Sequence, residues 1–212
     1  MNLSNLVIFE ACRASKGCPN ACLSVEESVA ALEKLAVDEM LNKRLRDRVV
    51  GPVLYHHTFR IALSGCPNSC SQPQIKDISI QGQIIPQIDE DNCNGCGSCS
   101  EVCPDKAIDV STGTAVIDRK NCLNCGLCIK ECQVNGMTAG EVGFKVSIGG
   151  KLGRRPQFAQ EFDPLVDKNE IVTTVANIIT KYLDRAGAEE RMADLVNRID
   201  AKQLFIPGGN SN

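Results

Sequence analysis

The sequence predicts an α+β fold, a body of strands and helices interrupted by one cysteine-rich insertion. Three observations lead there. Apolar residues recur at helical spacing in 24–47 and again in 169–201. Short strand-like runs occupy about 57–64, 75–80 and 144–149. Eight of the thirteen cysteines fall within residues 93–132, between the second and third of those runs.

Taken in order, SVEESVAALEKLAVDEMLNKRLRD at 24–47 reads as one helix. Ser24 is its N-cap, and Glu27 three residues on completes a capping-box pattern. The run YHHTFRIAL opens a strand, and a second strand follows at 75–80. Inside the insertion, AIDVSTGTAVIDRKN predicts a short β-hairpin turning at Ser111–Gly113. Beyond the strand at 144–149, residues 156–168 are loop-like and carry Pro156 and Pro164. NEIVTTVANIITKYLDRAG reads as a helix stopped by Gly187, and AEERMADLVNRIDA as another. Ile171, Val175, Ile178, Ile179 and Leu183 repeat at helical spacing and are core contacts. The tail PGGNSN reads as a frayed end.

Composition bounds the function. The chain of 212 residues is long enough for one ordinary domain or two small ones, and 43% hydrophobic against 23% charged is the balance of a globular protein. A net charge of −3 argues against a nucleic-acid partner, which would require a basic stripe. No apolar run approaches the roughly 20 residues of a membrane helix. The N-terminus lacks a basic n-region, so the chain is expected in the cytoplasm. Thirteen cysteines, an odd and tightly clustered set, do not make a disulfide framework; in a reducing cell such runs are metal ligands. With no Trp, two Tyr and six Phe, part of the core is expected to form around inorganic clusters and aliphatic side chains.

Residues 93–104 read CNGCGSCSEVCP and 122–133 read CLNCGLCIKECQ. Both carry C-x2-C-x2-C-x3-C, the spacing of bacterial two-cluster ferredoxins. The first three thiolates sit on one tight loop around one cube, and the fourth starts a helix that points away to the other cube. Cys93, Cys96, Cys99 and Cys132 are therefore assigned to one [4Fe–4S] cluster, and Cys122, Cys125, Cys128 and Cys103 to the other. Zinc usually takes paired C-x2-C knuckles, not two complete runs of this kind. Gln133 stands where the first run has Pro104, a departure at a position that holds no ligand.

Five cysteines remain. Cys12 and Cys18 form C-x5-C, Cys66 and Cys70 form C-x3-C, and Cys22 is left over and reads as a small core hydrophobe. Spacing alone leaves zinc or a third cluster open for the four. The surrounding residues add more. TFRIALSGCPNSCSQPQIKDISIQG, with its SGCPNSC core, resembles the sulfite and nitrite reductase family of sirohaem–[4Fe–4S] proteins. C-x5-C at Cys12 matches the other half of that family's cluster motif, and FKVSIGGKLGRRP resembles the strand and turn after its ferredoxin insertion.

The resemblance implies a sulfite-reductase-like domain made of 1–88 and 136–212, interrupted by a ferredoxin-like module at 89–135. It implies that Cys12, Cys18, Cys66 and Cys70 hold a third [4Fe–4S] cluster, with the Cys70 sulfur bridging to a sirohaem iron. The region that precedes the first cysteine motif in the family, a source of anion-binding Arg and Lys, is nearly absent here. Sirohaem is rich in carboxylates and its substrate is an anion, so cations are required. Arg13, Lys16, Lys151, Arg154 and Arg155 are the candidates, while Arg60 is expected to alternate outward on its strand. His56 and His57 are not expected to ligate haem, and GG-x-x-G at Gly149 opens no helix of a dinucleotide fold. The implied activity is reduction of sulfite or nitrite with electrons from a donor protein, in a homo-oligomer or with a partner subunit. The alternative is a non-catalytic electron carrier with three clusters.

Overall fold

The computed structural model describes residues 5–205; the tail read as frayed lies outside them. Among the described residues seven strands are present: β1 (Val7–Ala11), β2 (Phe59–Ser64), β3 (Ile78–Ile88), β4 (Ile108–Asp109), β5 (Val116–Ile117), β6 (Met137–Ile148) and β7 (Gln160–Val166). Five of them form one sheet in the order β1-β2-β3-β6-β7. The first three are mutually parallel, and β6 and β7 are antiparallel to their neighbours. Parallel neighbours need crossovers. The first crossover carries α1 (Glu26–Ala36) and α2 (Glu39–Arg46), and after β7 come α5 (Ile171–Arg185) and α6 (Met192–Arg198). Between β3 and β6 lie two short helices, α3 (Ser98–Glu101) and α4 (Leu127–Glu131).

The core follows from this layering. Central β2 reads FRIALS and is buried at every position except Arg60, as a parallel strand covered on both faces should be. Ile61, Leu63, Ile78, Ile80, Val146 and Ile148 meet Leu32 of α1 and the apolar stripe of α5. Each such side chain contributes roughly 1.5–3 kcal/mol by leaving water. Ile171, Val175, Ile178 and Ile179 are fully buried as the helical spacing requires, and Leu183 packs against them at the margin.

Three local expectations are corrected, and one strand stands where none was expected. The stretch 24–47 is two helices, because Asp38 interrupts it and caps the second by accepting the Leu41 N–H at 2.8 Å. The capping box at Ser24 does not form: Val25 takes the cap position and Ser24 Oγ donates to Glu26 instead, at 2.6 Å. Residues 160–166, expected as loop, are edge strand β7, where Pro164 costs no ladder bond to a further strand. Finally β1 is a five-residue strand for which the sequence raised no expectation. Its entrance is fixed by buried Asn42, whose Oδ1 accepts the N–H groups of Leu6 (2.6 Å) and Val7 (3.0 Å).

β3 and β6 run well past the ends of β1 and β2 as a long two-stranded arm, paired from Ile78↔Ile148 out to Ile88↔Met137. The chain between their tips folds on itself. β4 pairs with β5 around the expected turn, with Gly113 at φ +92°, and a small separate core gathers Cys99, Ile108, Ala115, Cys128 and Met137.

Candidate functional site: three cysteine groups

Parallel pairing places Ala11 beside Leu63, so the residues that follow these strands emerge at the same edge of the sheet. Those residues are Cys12 and, after Gly65, Cys66. Cys12 Sγ accepts the backbone N–H groups of Ala14 (3.4 Å) and Gly65 (3.3 Å). Gly65 is required there, since a Cβ would stand 2.4 Å from the Ala14 Cβ. Asn68 Nδ2 donates to Cys70 Sγ at 3.0 Å. Burial pushes the Cys66 thiol up, and Cys12, Cys70 and Cys18 add to that shift as neighbours in one electrostatic group. Cys66 is buried, Cys12 and Cys18 half-buried, and Cys70 faces solvent.

Two further groups lie in the insertion. One cavity, of about 330 Å³ including its open mouth, is lined by Cys93, Cys96, Cys99 and Cys132. Its counterpart, of about 320 Å³, is lined by Cys103, Cys122, Cys125 and Cys128. Each cavity takes three thiols from one run and the fourth from the other, because α3 and α4 carry the last cysteine of each run away from its own loop. Backbone N–H groups reach sulfur in both: Ala115 to Cys93 at 3.4 Å and Ala107 to Cys103 at 3.3 Å. Gly95, at φ +66°, lets the first loop close on the hairpin; a Cβ there would stand 2.3 Å from the Gly113 carbonyl oxygen.

The donor set fits iron–sulfur chemistry. Burial pushes the Cys128 thiol up to about 12, with Cys125, Cys122 and Cys99 acting in the same direction. Cys99 is raised by burial as well, whereas N–H and hydroxyl groups of Ser98 lower exposed Cys96. Thiols crowded so that each opposes the ionisation of the next are held together favourably around bound cations. Among the described residues no three His, Cys, Asp or Glu side chains converge closely enough for a single metal ion. The eight cysteines of residues 93–132 instead line two cavities, four to each.

The basic candidates separate. Arg13 and Lys16 lie exposed on the turn after Cys12, beside the first cysteine group. Lys151, Arg154 and Arg155 follow the end of β6 that pairs with the start of β3, where Gly149 and Gly150 donate to the carbonyls of Asp77 and Lys76. That is the opposite end of the sheet from Cys66. Lys151 is engaged with Asp194 at 2.6 Å, and Arg154 and Arg155 face solvent. The antiparallel turn of β6 is the reason these three are not brought to Cys70.

Arg60 does not simply point outward. It is half-buried and paired with Glu10 at 2.5 Å, and Glu10 also holds buried Lys76 at 2.5 Å. Burial alone would raise the Glu10 carboxyl, but hydrogen bonds from Lys76 and Arg60 outweigh it and hold the group below the usual range. His56 and His57 lie in a turn before β2; His57 Nδ1 accepts the Leu54 N–H at 3.0 Å.

Cys22 is the residue the spacing undervalued. Its N–H donates to the Gly65 carbonyl at 2.8 Å and its thiol to the Cys125 carbonyl at 3.2 Å. Burial pushes that thiol up to about 12, with Cys66 and Cys125 contributing. Only the docking of insertion on body reveals this position. The same seam is closed by Lys130 Nζ on the carbonyls of Pro19 and Ala21 (3.2 Å each) and by Ile84 N–H on the Asn124 carbonyl (2.8 Å).

Comparison with known proteins supplies the remaining observation. The family described as the nitrite and sulphite reductase 4Fe-4S domain matches residues 4–205. Over 146 residues the chain is 38% identical to the coenzyme F420-dependent sulfite reductase of Methanocaldococcus jannaschii, covering 68% of this chain and 23% of that protein. Over 68 residues it is 34% identical to a subunit of the anaerobic sulfite reductase of Salmonella typhimurium, 32% of this chain and 19% of the relative. The chain thus matches less than a quarter of the length of either relative. Among solved structures, dissimilatory sulfite reductase I superimposes with a TM-score of 0.63 at 20% identity, covering 95% of this chain and 51% of that one. Mycobacterium tuberculosis NirA gives 0.53 at 21%, covering 92% and 26%. These two likenesses establish the fold, and the family match over nearly the whole chain establishes kinship: the chain belongs to the nitrite and sulphite reductase 4Fe–4S domain family.

Proposed function

We propose that the chain is an electron-transferring oxidoreductase of the sulfite reductase type, serving the reduction of a small oxyanion, sulfite or nitrite. When bound, three [4Fe–4S] clusters supply one-electron storage and a sirohaem supplies an open iron for the anion. Residues 89–135 act as the ferredoxin-like module, with Cys93, Cys96, Cys99 and Cys132 holding the outer cluster and Cys103, Cys122, Cys125 and Cys128 the inner one. Cys12, Cys18, Cys66 and Cys70 hold the third. The observation that carries this reading is the crossed lining of the two insertion cavities, Cys132 in one and Cys103 in the other. Cys70 is the thiol of its group that faces solvent, which suits a sulfur shared with a sirohaem iron. Arg13 and Lys16, exposed on the turn after Cys12 of the same group, are the cations we assign to cofactor carboxylates or to the anion. Lys151, Arg154 and Arg155 leave that assignment because of where they stand.

A second reading, a non-catalytic electron-transfer subunit for a partner enzyme, is favoured by one point: a relative is by name a subunit of an assembly. Under both readings the protein works with an electron donor, and with a partner chain or a second copy. Among the described residues no helix is long and apolar enough to cross a membrane. We place the protein in the cytoplasm, where reducing conditions keep its thiols available for iron.

Anaerobic purification with iron, sulfide and sirohaem quantitation tests the reading. About twelve cluster irons per chain, three cubes of four, with a sirohaem Soret band and viologen-driven turnover of sulfite or nitrite support the reductase. About twelve irons without sirohaem leave the electron-transfer subunit, and about eight show that the Cys12 group holds no cube.

A further inference from the structure

The seam between insertion and body contains one thiol that neither the cysteine runs nor the SGCPNSC segment uses. Cys22 stands between two cysteine groups, hydrogen-bonded to Cys125 of one and to Gly65, the neighbour of Cys66, in the other. From the insertion side, the carbonyl of Cys125 accepts the Cys22 S–H at 3.2 Å. On the body side, the Cys22 N–H donates to the Gly65 carbonyl at 2.8 Å. Gly65 is covalently joined to Cys66, and its own N–H donates to Cys12 Sγ at 3.3 Å. One residue therefore completes an unbroken sequence of bonds and hydrogen bonds from Cys125 to both Cys66 and Cys12.

We propose that Cys22 is a positioning residue that couples the inner insertion site to the body site, fixing their approach and supplying the connected route for electron transfer between them. This rests on the reading that both groups hold [4Fe–4S] clusters. The step moves one electron, originally from a low-potential donor protein, out of the Cys103/Cys122/Cys125/Cys128 site and into the Cys12/Cys18/Cys66/Cys70 site. Cys22 is neither oxidised nor reduced and keeps its proton. The surroundings favour a rigid connection. Gly65 packs close to Ala14 and Ala21, and a Cβ on Gly82 would stand 2.6 Å from the Gly65 carbonyl oxygen, so only glycine at 82 leaves that carbonyl free to accept the Cys22 N–H. Lys130 fastens the other side of the seam on Pro19 and Ala21, immediately before Cys22.

The test compares the holoprotein with Cys22→Val, which stays apolar and removes the donor, and with Cys22→Ser, which keeps a donor. Iron and sulfide are quantified first. Flash photoreduction by a deazaflavin then loads electrons, and rapid-freeze EPR follows their arrival at the body site. Unchanged iron in both variants is expected, with arrival slowed about tenfold in Cys22→Val and restored to within about twofold of wild type in Cys22→Ser, the scale seen when outer-shell partners of metal ligands are removed. Should Cys22→Val assemble incompletely, Cys22→Ala provides the same donor deletion. Equal rates in wild type and the donor-deleted variant overturn the proposal, as does a Cys22→Ser variant as slow as Cys22→Val. A wild-type protein lacking iron at either site instead overturns the cluster reading itself, before any variant is compared.

Discussion

The Asp77 carboxylate accepts the Arg60 backbone N–H at 2.9 Å, tying the start of β2 to the residue that precedes β3. Burial raises this carboxyl to about 6 from 3.8, against the opposing pull of the Arg60 N–H, Arg191 and the Arg60 side chain. Tyr182 also faces it. The folded state therefore holds the proton more tightly than the unfolded chain. Stability from this group is full below the unfolded value, declines as pH rises, and levels off above about 6. Asp77→Asn is expected to remove a loss on the order of 1 kcal/mol between about pH 5 and pH 8. Anaerobic denaturant unfolding at several pH values checks it; a wild-type slope retained in the variant contradicts the assignment.

The crossed cavities make a prediction that single substitutions cannot. Cys122→Ala with Cys132→Ala removes one thiol from each ring and is expected to lose about eight irons. Cys93→Ala with Cys132→Ala strikes a single ring and is expected to lose about four. If each run instead held its own cube, the losses would be reversed between the two pairs. Iron analysis of both double variants decides.

Gly65 has no room for a side chain. Gly65→Ala is expected to displace the Ala14 turn and with it Cys12, costing the body site its iron and lowering stability by roughly 1–3 kcal/mol through overpacking. Adding Ala14→Gly removes the opposing methyl and should recover part of the iron. Recovery distinguishes a steric cause from a general weakness of the loop.

Asn42 satisfies four backbone groups, accepting from Leu6 and Val7 and donating to the carbonyls of Ala36 (2.9 Å) and Asp38 (2.8 Å). Asn42→Leu takes this partner from the Leu6 and Val7 N–H groups and the Ala36 carbonyl, while the Asp38 carbonyl keeps the residue-42 backbone N–H at 3.0 Å; the cost is roughly 2–4 kcal/mol. Hydrogen exchange should quicken first at the N–H groups of Leu6 and Val7. Protection unchanged there would mean that β1 is held by its ladder to β2 alone.

Much of this protein was legible in the sequence because it is written in short-range spacing. The two C-x2-C-x2-C-x3-C runs fix which thiols share a loop, and the stripe from Ile171 to Ile179 fixes a buried helix face. The motif SGCPNSC pointed to the family that the whole-chain match establishes. Other features needed the third dimension. β7 is a strand only because β6 offers it an edge, which Pro164 can occupy, and β1 exists through its ladder to β2 and the reach of Asn42. Above all, strand direction decides which end of the sheet a residue occupies. Parallel β1 and β2 deliver Cys12 and Cys66 to one edge, while antiparallel β6 delivers Lys151, Arg154 and Arg155 to the other. Cys22 became a contact of Cys125 only when the insertion packed against the body, across 103 residues of chain. Spacing specifies what a few consecutive residues can hold; register and packing decide which distant residues meet, because those depend on the burial of whole faces.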